Sequence, residues 1–188
     1  ELSQEEMDYI LSNISTNTRS ASILLSNLLK WARTQMSSEK VEKTEISLGE
    51  LISENQNLFA KQLNHKNLQM DNHIPDEVHI TTDRERLNFI LRNIISNSIK
   101  FTPEGGTITI ETDPQHPKTI LIKDSGIGMS QAQIDGLFSK KQYSTVGTNG
   151  EQGTGIGLML CKDFADSLGA TISVSSKAGR STTFSVQL

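Results

Sequence analysis

The chain opens on one long periodic apolar pattern. Met7, Leu11, Ile14, Ala21, Leu25, Leu28 and Ala32 are separated by steps of four and three or their sums, with Thr18 in the one polar slot. That spacing is a heptad seam and predicts a long helix over residues 4–37. Ile10, Ile23, Leu24 and Trp31 form a second stripe that widens the apolar face, so the helix is expected to pack in a bundle of more than two. A single helix docked on its own domain fits less well, because a two-sided stripe of this length exceeds what a small sheet covers. Ser37-Ser38-Glu39-Lys40 ends the periodicity and reads as a hinge dividing residues 1–40 from residues 41–188.

Beyond the hinge the pattern changes type repeatedly. Glu45 to Leu48 reads as a strand and Gly49 to His65 as a helix. Asn67 to Ile74 and Val78 to Thr81 read as a hairpin-like pair around Pro75-Asp76-Glu77. Asp83 caps a strongly apolar helix to about Lys100, stopped by Thr102-Pro103-Glu104-Gly105-Gly106. Strands Thr107 to Thr112 and Thr119 to Lys123 follow, then a helix from about Gly155 to Leu168 and closing strands Thr171 to Ser175 and Thr182 to Leu188. Strands that are mostly sequence neighbours, with helices between some pairs, predict an α+β fold: a two-layer sandwich of helices on one face of a mixed sheet, preceded by the long helix.

Composition narrows the class of function. Of 188 residues, 35% are hydrophobic and 21% charged, which suits a folded chain, and the net charge of −4 comes without a basic run, so nucleic acid is not an expected partner. Cys161 is the single cysteine, which excludes an internal disulfide and fits a reducing, cytoplasmic compartment. No apolar stretch reaches the roughly 18 to 20 residues that cross a bilayer. The start lacks an initiator Met and a signal pattern, and reads as a piece of a longer protein whose anchoring is open.

Eight of the thirteen glycines lie between Gly126 and Gly157, a concentration that suggests backbone held close to a ligand. Gly153-Thr154-Gly155-Ile156-Gly157 opens a helix, where unobstructed backbone amides form an anion site suited to phosphate. It lacks the Gly-Lys-Ser/Thr of a P-loop and the spacing of a dinucleotide fingerprint. Asp124-Ser125-Gly126-Ile127-Gly128 follows a strand directly, so its carboxylate projects from a strand end and can accept from an amino group such as that of adenine; a turn Asp bonding its own backbone is the plainer alternative. Asn93, Asn97 and Lys100 share one helical stripe while Ile90, Leu91, Ile94 and Ile95 turn toward the core. Amide oxygens are hard ligands suited to Mg2+, and the lysine suits a phosphate oxygen.

In order and spacing these elements resemble the ATP-binding domain shared by histidine kinases, DNA gyrase, mismatch-repair ATPases and a chaperone ATPase class. Asn93-Ile-Ile-Ser-Asn97-Ser-Ile-Lys100-Phe101-Thr-Pro looks like the family's asparagine box, Asp124 to Gly128 its first glycine box, and Gly153 to Gly157 with Leu158 its second. Phe138 falls where the phenylalanine box belongs, and residues 140–152 where the family has a lid over the nucleotide. The resemblance covers about residues 45 to 188 and implies a Bergerat-type ATP-binding fold with ATP and Mg2+ as ligands. It assigns nucleotide contacts to Asn93, Asn97, Lys100, Phe101, Asp124, Gly126, Gly128, Lys140, Ser144, Thr145, Gly153, Thr154, Gly155, Gly157, Leu158 and Thr183, and Mg2+ to Asn97 and Asn93.

Position 93 separates the branches. The hydrolysing members resemble one another in having a glutamate there as general base, and an amide cannot take that role, so the pattern is that of histidine kinases. The 4–37 helix looks like the second helix of the dimerisation and phosphotransfer hairpin that precedes this domain in such kinases. The resemblance thus implies a protein histidine kinase of a two-component system, homodimeric through that helix, passing phosphoryl to a response regulator receiver domain. His65, His73, His79 and His116 lack the acceptor-box surroundings, so the acceptor is expected outside this chain, and the chain alone is not expected to autophosphorylate. A non-catalytic nucleotide-binding dimerisation module, and a hydrolysing ATPase of the same superfamily, are the competing readings.

Overall fold

Alternation in the central strands sets the architecture. Ile108 and Ile110 in one strand, Ile120 and Ile122 in the next, and Phe184 and Val186 in the last are buried, while the residues between them are partly exposed. Period-two burial of this kind means that one sheet face is covered and the other meets solvent. Each fully buried isoleucine contributes about 1.5–3 kcal/mol.

The structure, a computed structural model, describes residues 3, 7, 11, 18, 25, 41–138, 145–151 and 155–188. The chain divides into two units, Glu1–Lys40 and Val41–Leu188. In the first, Met7, Leu11, Thr18 and Leu25 are helical and exposed; the remainder of the expected 4–37 helix lies outside the described residues. The elements of the second unit run β1 (Thr44–Ser47), α1 (Leu48–His65), β2 (Gln69–Asn72), β3 (His79–Thr82), α2 (Arg84–Phe101), β4 (Thr107–Thr112), β5 (Thr119–Asp124), α3 (Gln131–Gly136), α4 (Gly157–Leu168), β6 (Thr171–Lys177) and β7 (Ser181–Gln187).

Five strands form one mixed sheet in the order β2-β4-β5-β7-β6, parallel only between β2 and β4. The covered face carries α1, α2 and α4. Helix α2 is the centre of that layer, with Leu87, Ile90, Leu91, Ile94 and Ile95 all at 0% exposure, and the Phe89 ring packs tilted against Phe164 of α4 with centroids 4.6 Å apart. This is the two-layer α+β arrangement expected from the sequence.

The hairpin expected around Pro75 does not form. Strand β2 pairs with β4, while β3 pairs antiparallel with β1 in a separate two-stranded sheet. Between them Asn72 Oδ1 accepts the Ile74 amide and the Val78 amide bonds Pro75 O, which turns the chain out of the large sheet. Ile80 then lies opposite Ile46, and both are buried. The short helix α3 was not foreseen, although Ser130 and Gln133 form a reciprocal capping box at its start.

Candidate nucleotide site

The site is built around the C-terminal half of α2. Asp83 caps the helix by accepting the Arg86 amide, and the apolar positions that bury one face leave Asn93, Asn97 and Lys100 half-exposed on the other. Asn93 Nδ2 donates to Phe89 O at 2.8 Å, which leaves its Oδ1, next to Gly157, without a hydrogen-bond donor among the described residues. Among the described residues the Asn97 side chain has no hydrogen-bond partner. Both amide oxygens are therefore available to a ligand.

Strand β5 delivers Asp124 to the same edge of the sheet. Its carboxylate is 6% exposed and accepts from Gly126 N at 3.0 Å and from Ser98 Oγ of α2 at 3.1 Å. Burial pushes this carboxyl above the usual aspartate range, against the Gly126 amide, the Ser98 hydroxyl and the Thr182 amide, which favour its charged form. Gly126 threads between the carboxylate and the end of α2: a β-carbon there would lie 2.6 Å from Asp124 Oδ1 and 2.8 Å from Phe101 O. The carboxylate is thus held by donors from the turn after β5, from α2 and from β7, and retains acceptor capacity.

Helix α4 begins without a side-chain cap. Ser47, Asp83 and Ser130 cap α1, α2 and α3, whereas the N-cap position of α4 is Ile156, after Gly155 with φ +72°, and among the described residues no side chain bonds its first turn. The amides of that turn, including those of Gly157 and Leu158, form the positive end of the helix dipole. Gly157 lies against Asn93, so the uncapped turn and the asparagine stripe share one place.

The last four carbonyls of α2 all find partners, the first in the closing rung of the helix and the other three outside it. Ser98 O accepts from Thr102 N, Ile99 O from Lys66 Nζ, Lys100 O from Thr148 N, and Phe101 O from Ile127 N. The segment 145–151 therefore sits on the end of α2. There Lys100 Nζ donates to Thr145 O at 2.6 Å and lies 4.7 Å from the centre of the Phe101 ring. Burial lowers the Lys100 pKa, partly offset by the nearby charge of Glu151.

Thr183 stands elsewhere than expected. In the β5–β7 register it pairs with Lys123, and Thr182 pairs with Asp124. Directly opposed residues share a face, so Thr182, buried at 6%, stands on the side of Asp124 and Thr183 on the opposite face. Period-two alternation with the buried Phe184 and Val186 puts Thr182, and not Thr183, on that face. Ser98, hidden among the apolar residues of α2, was missed altogether. Gly128, φ +64°, packs its backbone on Lys177 O at the end of β6, so its immediate neighbour is the sheet edge. The expected α4 start at Gly155 falls two residues later, at Gly157. Lys140, Ser144, Gly153 and Thr154 lie outside the described residues.

Comparison with known proteins agrees with this geometry. Residues 82–188 match the family described as histidine kinase-, DNA gyrase B- and HSP90-like ATPase. The sensor protein SrrB of Staphylococcus aureus strain MRSA252 is 30% identical over 167 residues, which span 88% of this chain and 29% of SrrB. The catalytic domain of histidine kinase ThkA superposes with TM-score 0.63 at 26% identity, covering 78% of this chain and 95% of that domain. Full-length ShkA in complex with AMPPNP shares the fold with TM-score 0.71 at 21% identity, over 99% of this chain and 39% of ShkA. ThkA in complex with the response regulator TrrA does so with TM-score 0.72 at 22% identity, over 99% of this chain and 52% of ThkA. Among the described residues no helix is long and apolar enough to cross a membrane. From the buried Asp124, the asparagine stripe and the uncapped helix to the matched sequence, the chain belongs to the histidine kinase-, DNA gyrase B- and HSP90-like ATPase family.

Proposed function

We propose that this chain is the catalytic ATP-binding part of a two-component sensor histidine kinase. It transfers the γ-phosphoryl group of ATP to a histidine outside this chain, from which it passes to a response regulator receiver domain. The observation that carries the reading is the uncapped first turn of α4 beside Asn93, within the unit that also holds the buried Asp124 carboxylate. One end of that site suits phosphates and the other an amine on a flat base.

In this mechanism Asp124 accepts from the exocyclic amine of adenine, and Gly126 leaves room for the base against the backbone. The α4 amides and Lys100 bind phosphate oxygens, as the charge and dipole there favour. Mg2+ would be held by the amide oxygens of Asn97 and Asn93 together with the phosphates, and would neutralise charge on them when bound. The free Asn97 amide and the Asn93 Oδ1, which accepts no hydrogen bond among the described residues, fit that role. Asn93 lacks a base to activate water, so the phosphoryl group is kept for its protein acceptor. Met7, Leu11 and Leu25, 41%, 56% and 64% exposed, support pairing of the N-terminal helix with further helices in a homodimer. A site that uses ATP and a response regulator belongs in the cytoplasm. The likeness to SrrB and to the ThkA–TrrA complex supports this reading.

Calorimetric titration of the chain with AMPPNP, with and without Mg2+, tests it. Binding that Asp124→Asn abolishes, and that Asn97→Ala weakens chiefly in its metal-dependent part, is the expected outcome. No binding by the intact chain would refute the nucleotide site. Binding without transfer to a supplied acceptor hairpin would instead make the chain a nucleotide-binding dimerisation module.

A further inference from the structure

Lys66 is a charged residue with no surface to serve. It follows α1 directly, its side chain is 4% exposed, and its ammonium has four partners. Two are carbonyls at the end of α2, Ile99 O at 2.8 Å and Lys100 O at 3.2 Å. The other two belong to the segment 145–151: Thr148 Oγ1 at 2.7 Å and Glu151 Oε1 at 3.1 Å. A cation at a helix C-terminus is favourable by itself, but that need would be met by the two carbonyls alone.

The segment depends on such contacts. Its one large apolar side chain, Val146, is 59% exposed, so no hydrophobic anchor holds it. Ordering its backbone costs on the order of 1 kcal/mol per residue, and polar contacts must offset this. They are concentrated at Lys66, at Thr148, whose hydroxyl also reaches Lys100 O and Thr102 O, and at Glu151, which accepts the Asn149 amide. Burial pushes the Glu151 carboxyl up, but backbone amides and Lys66 together hold it below the usual range, so it stays charged.

The same segment sets the surroundings of Lys100. Thr145 O takes its ammonium, and the Gly147 backbone packs on its stem, where a β-carbon would lie 2.6 Å from Lys100 Cγ. A phosphate must draw that ammonium from Thr145 O while the segment keeps its place. Only contacts independent of the Lys100 ammonium can hold it then.

We propose that Lys66 is a positioning residue for the nucleotide pocket: it fastens the 145–151 segment, through Thr148 and Glu151, to the end of α2, so that Lys100 can exchange its backbone partner for a phosphate. This rests on the nucleotide-binding reading above. The expected energetic weight is that of a charge-assisted hydrogen bond, about a tenfold effect.

The test compares the chain with its Lys66→Met, Glu151→Gln and Thr148→Val variants by amide hydrogen exchange and by titration with AMPPNP and Mg2+. In Lys66→Met the Gly147 and Thr148 amides, which donate to Glu151 O and Lys100 O, should exchange about tenfold faster, with the amides of β4 and β5 unchanged. AMPPNP should bind about tenfold more weakly. Glu151→Gln and Thr148→Val should move both readings the same way by less. Unchanged exchange overturns the anchor, and faster exchange with unchanged affinity overturns its role in the pocket. If Lys66→Met does not fold, the other two variants decide on the same readings. If the wild-type chain binds no AMPPNP, the nucleotide reading falls and this role with it, while exchange still reports whether the anchor exists.

Discussion

A β-carbon on residue 157 would lie 2.6 Å from Asn93 Oδ1, so the first turn of α4 rests on the Asn93 side chain of α2 through the bare backbone of Gly157. Gly157→Ala must push Asn93 aside or shift α4. The expected cost is about 1–3 kcal/mol, typical of overpacking. Thermal unfolding measures it, and AMPPNP affinity should fall in the same variant because both sides of the proposed phosphate end move. An alanine variant with unchanged stability and affinity would mean that the two helices do not meet there.

The buried Asp124 makes a prediction in pH. Its carboxyl is held above the ordinary 3.8, so between 3.8 and its folded value the folded chain binds a proton that the unfolded chain has released. Stability therefore falls as pH rises through that window, and the loss stays constant above it. Asp124→Asn keeps the shape, with Oδ1 toward Gly126 N and Nδ2 toward Ser98 Oγ, and cannot ionise. Other carboxylates titrate equally in both proteins. The melting temperature of the variant minus that of the wild type should be level below pH 3.8, rise through the window, and level off again. A difference independent of pH would show that Asp124 ionises as readily folded as unfolded.

Cys161 is fully buried in α4, and burial pushes its thiol far above the usual range. A thiol-specific disulfide reagent should therefore react with the native chain only at the rate of its opening, and rapidly in denaturant. Saturating AMPPNP should slow the native reaction further if the nucleotide stabilises the fold. Fast labelling under native conditions would contradict the packing of α4 on α2.

Much of this candidate site was legible because the placement of its polar residues follows from local patterns. Asn93, Asn97 and Lys100 are readable from helical spacing once Ile90, Leu91, Ile94 and Ile95 assign the buried face, and Asp124 from its place after a strand. What was not legible depends on partners distant in sequence. Strand β2 pairs with β4 and not with its neighbour β3, whose partner is β1, so both pairings join segments that the Pro75 turn does not connect. Lys66 carries no local signal at all: its partners are 33 to 85 residues away, and in sequence it is one more lysine at a helix end. Ser98 is silent for the same reason, since its role is to bond Asp124, 26 residues further on.

The register of β7 separates two adjacent threonines. Thr182 is buried on the face of Asp124, its amide favours the charged carboxylate, and its hydroxyl lies 3.0 Å from Ser176 Oγ, which also accepts the Met129 amide. Thr183 lies on the outer face beside Lys123 and Ser175. Thr182→Val keeps the volume and removes the hydroxyl, so it should cost about 1 kcal/mol in stability and weaken AMPPNP binding several-fold. Thr183→Val removes the same group from the far side of the sheet and should leave affinity unchanged, with a stability change within about 0.5 kcal/mol. Titration of both variants against the wild type decides the matter. Loss of affinity in Thr183→Val alone would mean that β7 binds nucleotide in a register shifted by one residue, because a single-residue slip carries every side chain of a strand to the other face.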